Sequence, residues 1–171
     1  MAIWHCNGGK RLEGACFVQG AKNAVLPILA ASIVCPIETD LLNVPQLSDV
    51  EASLRILRRL GCTAQQQEND VYIDSRTIGS NVIPQSMMES MRSSVLFMGA
   101  LLARCGEVHL TLPGGCKLGA RPIDMHIDAM KALGAAVEEN GCEIVCKAPK
   151  LKGANIRLPY QSVGATENAM I

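Results

Sequence analysis

The sequence has no excess of either charge. Lys and Arg together number 16, as do Asp and Glu, so the formal net charge at neutral pH is zero. Proteins that bind nucleic acid usually carry a basic excess, and this chain has none. It also has no run of like charges and no low-complexity segment. We therefore expect neither a nucleic-acid partner nor a disordered charged tail.

The sequence also lacks a long apolar segment. Its first ten residues, MAIWHCNGGK, contain no apolar core of the kind that a secretory signal needs. The longest mostly apolar run, 24–35, includes Pro27 and is too short to cross a bilayer. We expect a cytoplasmic protein without a membrane partner. With 171 residues, 49% of them hydrophobic, the chain can bury one sizeable core.

The cysteines form no metal-binding pattern. Cys142 and Cys146 are spaced to share one face of a strand, and no His or second Cys pair is close to them in the sequence. We therefore expect no metal and no cofactor. Five further cysteines lie in or beside apolar segments and are predicted to act as small hydrophobic residues. They are Cys6, Cys16, Cys35, Cys62 and Cys105.

The most distinctive stretch is 112–126, which reads LPGGCKLGARPIDMH. Its three glycines lack a Cβ, so the backbone can approach a ligand closely, and successive N–H groups can form a concave anion site. Cys116 lies among these glycines, with Lys117 beside it and Arg121 nearby. Two interpretations are open from this loop alone: a ligand-binding loop, or a plain connection with an incidental cysteine.

Two predicted helices each begin with a capping box. Ser48 with Glu51 precedes the first, and Ser86 with Glu89 precedes the second. In both, apolar residues recur at helical spacing, which is typical of a helix with one buried face.

Helices and short strands alternate along the rest of the chain. An apolar helix extending to about Val34 is predicted to be buried on all sides. Two amphipathic helices are predicted to end at Gly61 and Gly134. Strands are predicted near 15–18, 39–44, 63–66, 71–74, 108–112, 136–138 and 143–147.

The order of these elements repeats with a period of about 70 residues. This period is longer than those of solenoid repeats, about 20–50 residues. It favours an α/β (α+β) fold of βαβαββ units around a pseudo-threefold axis, with buried helices inside and sheets outside. The first unit is predicted at about 12–78, the second at about 79–150, and a third from about 151. Because the third ends inside an apolar helix, we expect the chain to be part of a longer protein.

Four motifs give the chain a family resemblance. GAKNAVLP, MRSSVLFMGALLARCG, LPGGCKLGARPIDMHI and SVGATEN occur in this order. Together they resemble the N-terminal portion of the UDP-N-acetylglucosamine enolpyruvyl transferases (1-carboxyvinyltransferases). The resemblance implies an inside-out α/β barrel and a second domain that this chain does not contain. It also implies transfer of the enolpyruvyl group of phosphoenolpyruvate to the 3′-hydroxyl of UDP-N-acetylglucosamine, in peptidoglycan synthesis.

Two alternatives accompany this resemblance. Enolpyruvylshikimate-phosphate synthase shares the repeat fold, but the loop cysteine and the RPIDMH motif favour the aminosugar enzyme. The other alternative is a non-catalytic nucleotide-sugar binding or regulatory module derived from the same domain.

The resemblance also implies the site residues. Cys116 would be the catalytic acid and the target of alkylation. Four residues would clamp the anionic groups of phosphoenolpyruvate: Lys22, Asn23, Arg92 and Arg121. The nucleotide end would lie on Pro122, Ile123, Asp124 and Met125, and the diphosphate near Ser162, Val163 and Gly164.

Three of these expectations have alternatives. Without the other motifs, Lys22 would be interpreted as a solvated turn lysine. Tyr160 stands where some members of the family have a lysine, which puts one phosphate contact in doubt. His126 would face the cysteine loop by resemblance, although a histidine on a helix surface is commoner.

Overall fold

The computed structural model describes residues 3–111 and 123–171. Within them the helices are α1 Lys22–Ala31, α2 Ser48–Leu60, α3 Gln85–Ser90, a 3₁₀ helix Arg92–Leu96, α4 Phe97–Cys105, α5 Asp124–Ala132 and α6 Val163–Met170. The strands are β1 Glu38–Leu41, β2 Thr63–Gln67, β3 Asp70–Asp74, β4 Val82–Ile83, β5 Glu107–Thr111, β6 Ala136–Asn140 and β7 Glu143–Lys147.

The strands form two separate sheets. One has the order β1-β3-β2 and is antiparallel throughout. The other has the order β4-β5-β7-β6, in which only the β4–β5 pair is parallel. Helix α2 packs on β2, and α4 packs on β5. The helices thus fill the interior against these two sheets, as the sequence pattern predicts.

Helix α2 shows how the sequence determines this packing. Val50, Leu54, Leu57 and Leu60 recur at helical spacing, and all four are fully buried. Full burial of one such side chain stabilises the fold by about 1.5–3 kcal/mol. The helix ends at Gly61, whose φ of 102° lies in the left-handed region. The predicted end of this helix is therefore confirmed.

Both predicted capping boxes are wrong. The carbonyl of Leu47 already accepts the Glu51 N–H, so Ser48 lies inside α2, and no side chain caps the helix. Helix α3 likewise begins after Pro84, and its first turn also has no side-chain cap. Helix α2 starts one residue, and α3 two residues, earlier than a serine cap would allow, which places each hydroxyl out of the capping position. The helix predicted after Ser86 is also broken, because Met91 is extended and separates α3 from the 3₁₀ helix.

The strand predicted at 15–18 is wrong as well. Residues 3–21 form neither helix nor strand, and the side chains of Phe17 and Val18 are exposed. A strand requires a neighbour to accept and donate its backbone hydrogen bonds, and no described strand pairs with this segment.

Helix α1 is shorter and less buried than predicted. It ends at Ala31, and the side chain of Ile28 is 46% exposed although Val25 and Leu29 are buried. An apolar composition therefore did not require burial on every side of this helix.

The cysteines are also less buried than predicted. Cys62 is buried as expected, and so is Cys146 in β7. The other described cysteines are exposed. They lie in the N-terminal segment without regular structure, in the connection between α1 and β1, at the end of α4 and in the turn before β7: Cys6, Cys16, Cys35, Cys105 and Cys142. Burial raises the pKa of the Cys62 and Cys146 thiols to about 11.

Candidate functional site

Lys22 is the first residue of α1, and its ammonium group pairs with a carboxylate. Its Nζ lies 2.5 Å from Oδ2 of Asp49 in the first turn of α2. The Lys22 side chain is half exposed, and the neighbouring Asn23 is exposed. An anion that binds Lys22 must therefore compete with Asp49 for the ammonium group.

Arg92 is the first residue of the 3₁₀ helix and is exposed. Its guanidinium forms no ion pair with another described residue. Helix α1 packs against this 3₁₀ helix, so Lys22 and Arg92 begin two elements that are in contact.

The residues expected at the nucleotide end lie at the start of α5. Ile123 is half-buried and precedes the helix, Asp124 is its exposed first residue, and Met125 is half-buried. The carbonyl of Ile123 accepts the N–H groups of His126 and Ile127. Cys116, Arg121 and Pro122 lie outside the described residues.

The residues expected near the diphosphate lie at the start of α6. The Oγ of Ser162 accepts the N–H of Ala165 at 3.2 Å and so caps the helix. Val163 is exposed. A Cβ added to Gly164 would lie 3.4 Å from Cε1 of His126, so the first turns of α5 and α6 are adjacent. The structure thus brings two of the predicted groups of site residues together.

A buried polar contact joins these helices. Nδ2 of Asn168 in α6 lies 3.0 Å from Nδ1 of His126 in α5 and also donates to the carbonyl of Val95 at 3.1 Å. Oδ1 of the same side chain accepts the N–H of Gly99 at 2.8 Å. The exposed fraction is 1% for Asn168 and 9% for His126.

Sequence reasoning did not identify this contact. A polar side chain in the apolar α6 was the available signal, since a buried amide needs partners. His126 is buried rather than on a helix surface, and burial lowers the pKa of its imidazole.

A cavity of about 180 Å³ is lined by residues of α4, α5, α6 and the segment 151–153. Its lining includes Gly99, Met130, Leu133 and Asn168. None of the site residues predicted from the sequence lines it, although Asn168, which contacts His126, does. Within 3–111 and 123–171, no group of three His, Cys, Asp or Glu residues could hold a metal ion. In the same ranges no helix is long and apolar enough to cross a membrane.

Solved structures with a similar fold are enolpyruvyl transferases. The chain superimposes on the enolpyruvyl transferase NikO from Streptomyces tendae with a TM-score of 0.72 at 20% identity, over 85% of this chain and 32% of that one. EPSP synthase from Acinetobacter baumannii gives a TM-score of 0.70 at 20% identity, over 91% of this chain and 37% of that one. The predicted α/β fold class is therefore confirmed, and the fold is that of an enolpyruvyl transferase domain.

A family model agrees. The model described as EPSP synthase (3-phosphoshikimate 1-carboxyvinyltransferase) matches residues 6–171. The chain belongs to this family of carboxyvinyltransferases.

The names of curated relatives identify a narrower group within this family. UDP-N-acetylglucosamine 1-carboxyvinyltransferase 2 from Caldanaerobacter subterraneus subsp. tengcongensis is 43% identical over 171 residues, which is 100% of this chain and 41% of that protein. UDP-N-acetylglucosamine 1-carboxyvinyltransferase from Dichelobacter nodosus is 45% identical over 165 residues, 96% of this chain and 39% of that protein. The resemblance found in the four motifs is confirmed. The chain spans about two fifths of the length of these relatives.

Proposed function

We propose that this chain forms the first part of an enzyme that makes enolpyruvyl UDP-N-acetylglucosamine from phosphoenolpyruvate and UDP-N-acetylglucosamine. The observation that carries the proposal is the 43% identity over the whole chain with a protein named for this reaction. The adjacent first turns of α5 and α6 support it, because helix N-termini favour the anionic groups of a nucleotide sugar. In a bacterial cell the reaction would take place in the cytoplasm and supply peptidoglycan synthesis.

The reaction requires residues that bind phosphoenolpyruvate and a separate group that donates a proton. The sugar 3′-hydroxyl adds to C2 of phosphoenolpyruvate while C3 gains a proton. C3 then loses a proton, and the bond between C2 and the phosphate oxygen breaks. Inorganic phosphate leaves, and the enolpyruvyl ether remains on the sugar. Lys22, Asn23, Arg92 and Arg121 would hold the phosphate and carboxylate, where charge-assisted hydrogen bonds are strongest. Cys116 would donate the proton to C3, a contribution typically worth a factor of about 10²–10⁴ in rate.

The nucleotide sugar would bind across the two adjacent helix starts. Pro122, Ile123, Asp124 and Met125 would hold the uracil end, and Ser162, Val163 and Gly164 would lie beside the diphosphate. The chain covers about two fifths of its relatives, so we propose that the remaining catalytic groups belong to a second domain.

Comparing two acceptors tests the proposal. The natural-length gene product is given phosphoenolpyruvate with either UDP-N-acetylglucosamine or shikimate 3-phosphate, and phosphate release is measured. Phosphate release is expected with UDP-N-acetylglucosamine as the acceptor and not with shikimate 3-phosphate. Release with shikimate 3-phosphate alone would assign the chain to the other branch of its family. Tight binding of the nucleotide sugar without any release would support a non-catalytic binding module instead.

A further inference from the structure

The amide group of Asn168 can adopt only one orientation. Gly99 presents an N–H, which must donate, and it lies 2.8 Å from Oδ1. Val95 presents a carbonyl, which must accept, and it lies 3.1 Å from Nδ2. Reversing the amide would place donor against donor and acceptor against acceptor in a site that is 1% exposed. Nδ2 therefore faces both Val95 and His126.

This orientation fixes the proton on His126. The second hydrogen of Nδ2 points to Nδ1 of the imidazole at 3.0 Å, so Nδ1 must be the acceptor. A neutral imidazole that accepts at Nδ1 carries its proton on Nε2. A proton on Nδ1 would set two donors against each other, and protonation of both nitrogens would also leave a charge in a mostly buried residue. The lowered pKa of this imidazole, caused by its burial, is consistent with a neutral ring.

The protonated nitrogen lies beside the first turn of α6. Nε2 is 3.6 Å from the position of a Cβ built on Gly164, so the ring occupies space that the missing side chain leaves open. Although the residue is only 9% exposed, Nε2 forms no hydrogen bond with any described residue. An N–H donor that no described residue accepts, next to a helix N-terminus, suits a negatively charged oxygen.

We propose that Asn168 is a positioning residue that holds His126 in its Nε2–H form, so that this N–H donates to a phosphoryl oxygen of the bound nucleotide sugar. The identity of the ligand rests on the proposed function, whereas the state of the imidazole does not. Asn168 also ties α6 to the 3₁₀ helix through Val95 and to α4 through Gly99. One side chain thus keeps the first turns of α5 and α6 in register.

The state of the imidazole is tested first, without any ligand. In the natural-length protein, ¹⁵N NMR of the histidine ring distinguishes the Nε2–H form from the Nδ1–H form. The wild type is expected to show His126 as Nε2–H. In Asn168→Asp the carboxylate can only accept, so His126 is expected to change to a form protonated on Nδ1. Asn140→Asp makes the same chemical change at an exposed position of β6 and should leave His126 unaltered. A wild-type ring protonated on Nδ1 would overturn the proposal, as would no change in Asn168→Asp.

The role of His126 as a hydrogen-bond donor is tested by measuring ligand binding. Two variants of His126 are used, so that a folding defect caused by changing Asn168 does not enter the result. Gln can place an amide N–H near the position of Nε2, whereas Asn places its polar group near Nδ1. Calorimetry with UDP-N-acetylglucosamine is expected to give a Kd within about threefold of wild type for His126→Gln. For His126→Asn the Kd is expected to rise about tenfold, the effect of losing one charge-assisted hydrogen bond. Uridine, which has no phosphate, should bind all three proteins equally.

The two failures are distinguishable. If the wild type binds no UDP-N-acetylglucosamine, the proposed function is wrong, and the NMR result still decides the role of Asn168 toward the imidazole. If the wild type binds but His126→Gln and His126→Asn weaken binding equally, His126 is not the phosphoryl donor. If His126→Asn weakens the binding of uridine as well, the imidazole acts on the structure of the site rather than on the phosphate.

Discussion

His126 is the residue whose protonation should affect stability at mildly acidic pH. Burial lowers its pKa in the folded state below the unfolded value of about 6.5. Below that pH the unfolded chain binds more protons than the folded chain, so the stability present above pH 6.5 is lost as the pH falls toward the folded pKa. We expect urea unfolding to show a falling free energy of unfolding between about pH 7 and pH 5. His126→Gln should remove this part of the loss.

Carboxyl groups should contribute at lower pH and so leave that window clear. A hydrogen bond from Arg76 lowers the pKa of Asp74, and a hydrogen bond from Lys147 lowers the pKa of Glu107. Their stabilisation is present above their unfolded pKa of about 4 and is lost below it. If His126→Gln and wild type lose equal stability between pH 7 and pH 5, the imidazole is not the group responsible.

Lys22 should matter for the substrate far more than for folding. Its pair with Asp49 is partly exposed, and such pairs contribute about 0–1 kcal/mol. We expect Lys22→Ala to change the free energy of unfolding by no more than that. It should lower kcat/KM for phosphoenolpyruvate by about 10–100-fold, the loss of one charge-assisted contact of about 1.5–3 kcal/mol. Lys150→Ala removes an exposed lysine elsewhere and is the control. Equal kinetics for both variants would show that Lys22 is not part of the clamp.

Cys116 should be the thiol that a phosphonate epoxide such as fosfomycin alkylates. Several other thiols are exposed, so an undirected reagent should not discriminate between them. The phosphonate should bind the same cations as phosphoenolpyruvate and bring its epoxide to Cys116, where proximity adds to reactivity. Peptide mass mapping of the natural-length protein, with UDP-N-acetylglucosamine present, should locate the label on Cys116. Cys116→Ser should abolish it. A label on Cys35 or Cys142 would contradict this assignment.

At the scale of elements, Gly99 controls how closely α4 and α6 approach. A Cβ at this position would lie 2.5 Å from the backbone O and from Oδ1 of Asn168. Gly99→Ala must therefore push α6 away, and overpacking of this kind costs about 1–3 kcal/mol. Gly153→Ala is the matched control, because nothing lies within 4 Å of its added Cβ. Urea unfolding should show the loss only for Gly99→Ala. An equal free energy of unfolding for the two variants would mean that α4 and α6 can move apart without loss of stability.

The helices with one apolar face were predictable from the sequence. The spacing of Val50, Leu54 and Leu57 predicts α2, and a left-handed glycine ends it, because burial and backbone geometry act on neighbouring residues there. The capping boxes were not predictable in the same way. A serine three residues before a glutamate fits several helix starts, and the packing of the apolar face decides which one forms. The segment 15–18 has the composition of a strand but pairs with none of the described strands, and composition carries no information about partners.

Across the whole molecule, the sequence motifs predicted the fold. They also gave the residues proposed for the site, but not the contact between Asn168 and His126. The motifs that contain Ile123 and Ser162 are far apart in the chain, and only the packing of α5 on α6 brings them together. The bond between Asn168 and His126 follows from that packing, since it joins residues that are 42 positions apart. A single sequence shows which residues are polar and apolar, and the long-range pairing of buried polar groups depends on the completed interior.

The proposed reaction has one defined product, a nucleotide sugar that carries an enolpyruvyl group, and this product can be identified chemically. The natural-length gene product is incubated with phosphoenolpyruvate and UDP-N-acetylglucosamine, and the nucleotide fraction is examined by mass spectrometry and NMR. We expect a nucleotide sugar that has gained one enolpyruvyl group on its 3′-oxygen, in an amount equal to that of the phosphate released. Recovery of unchanged UDP-N-acetylglucosamine, from folded protein that transfers the group to a different acceptor, would contradict it.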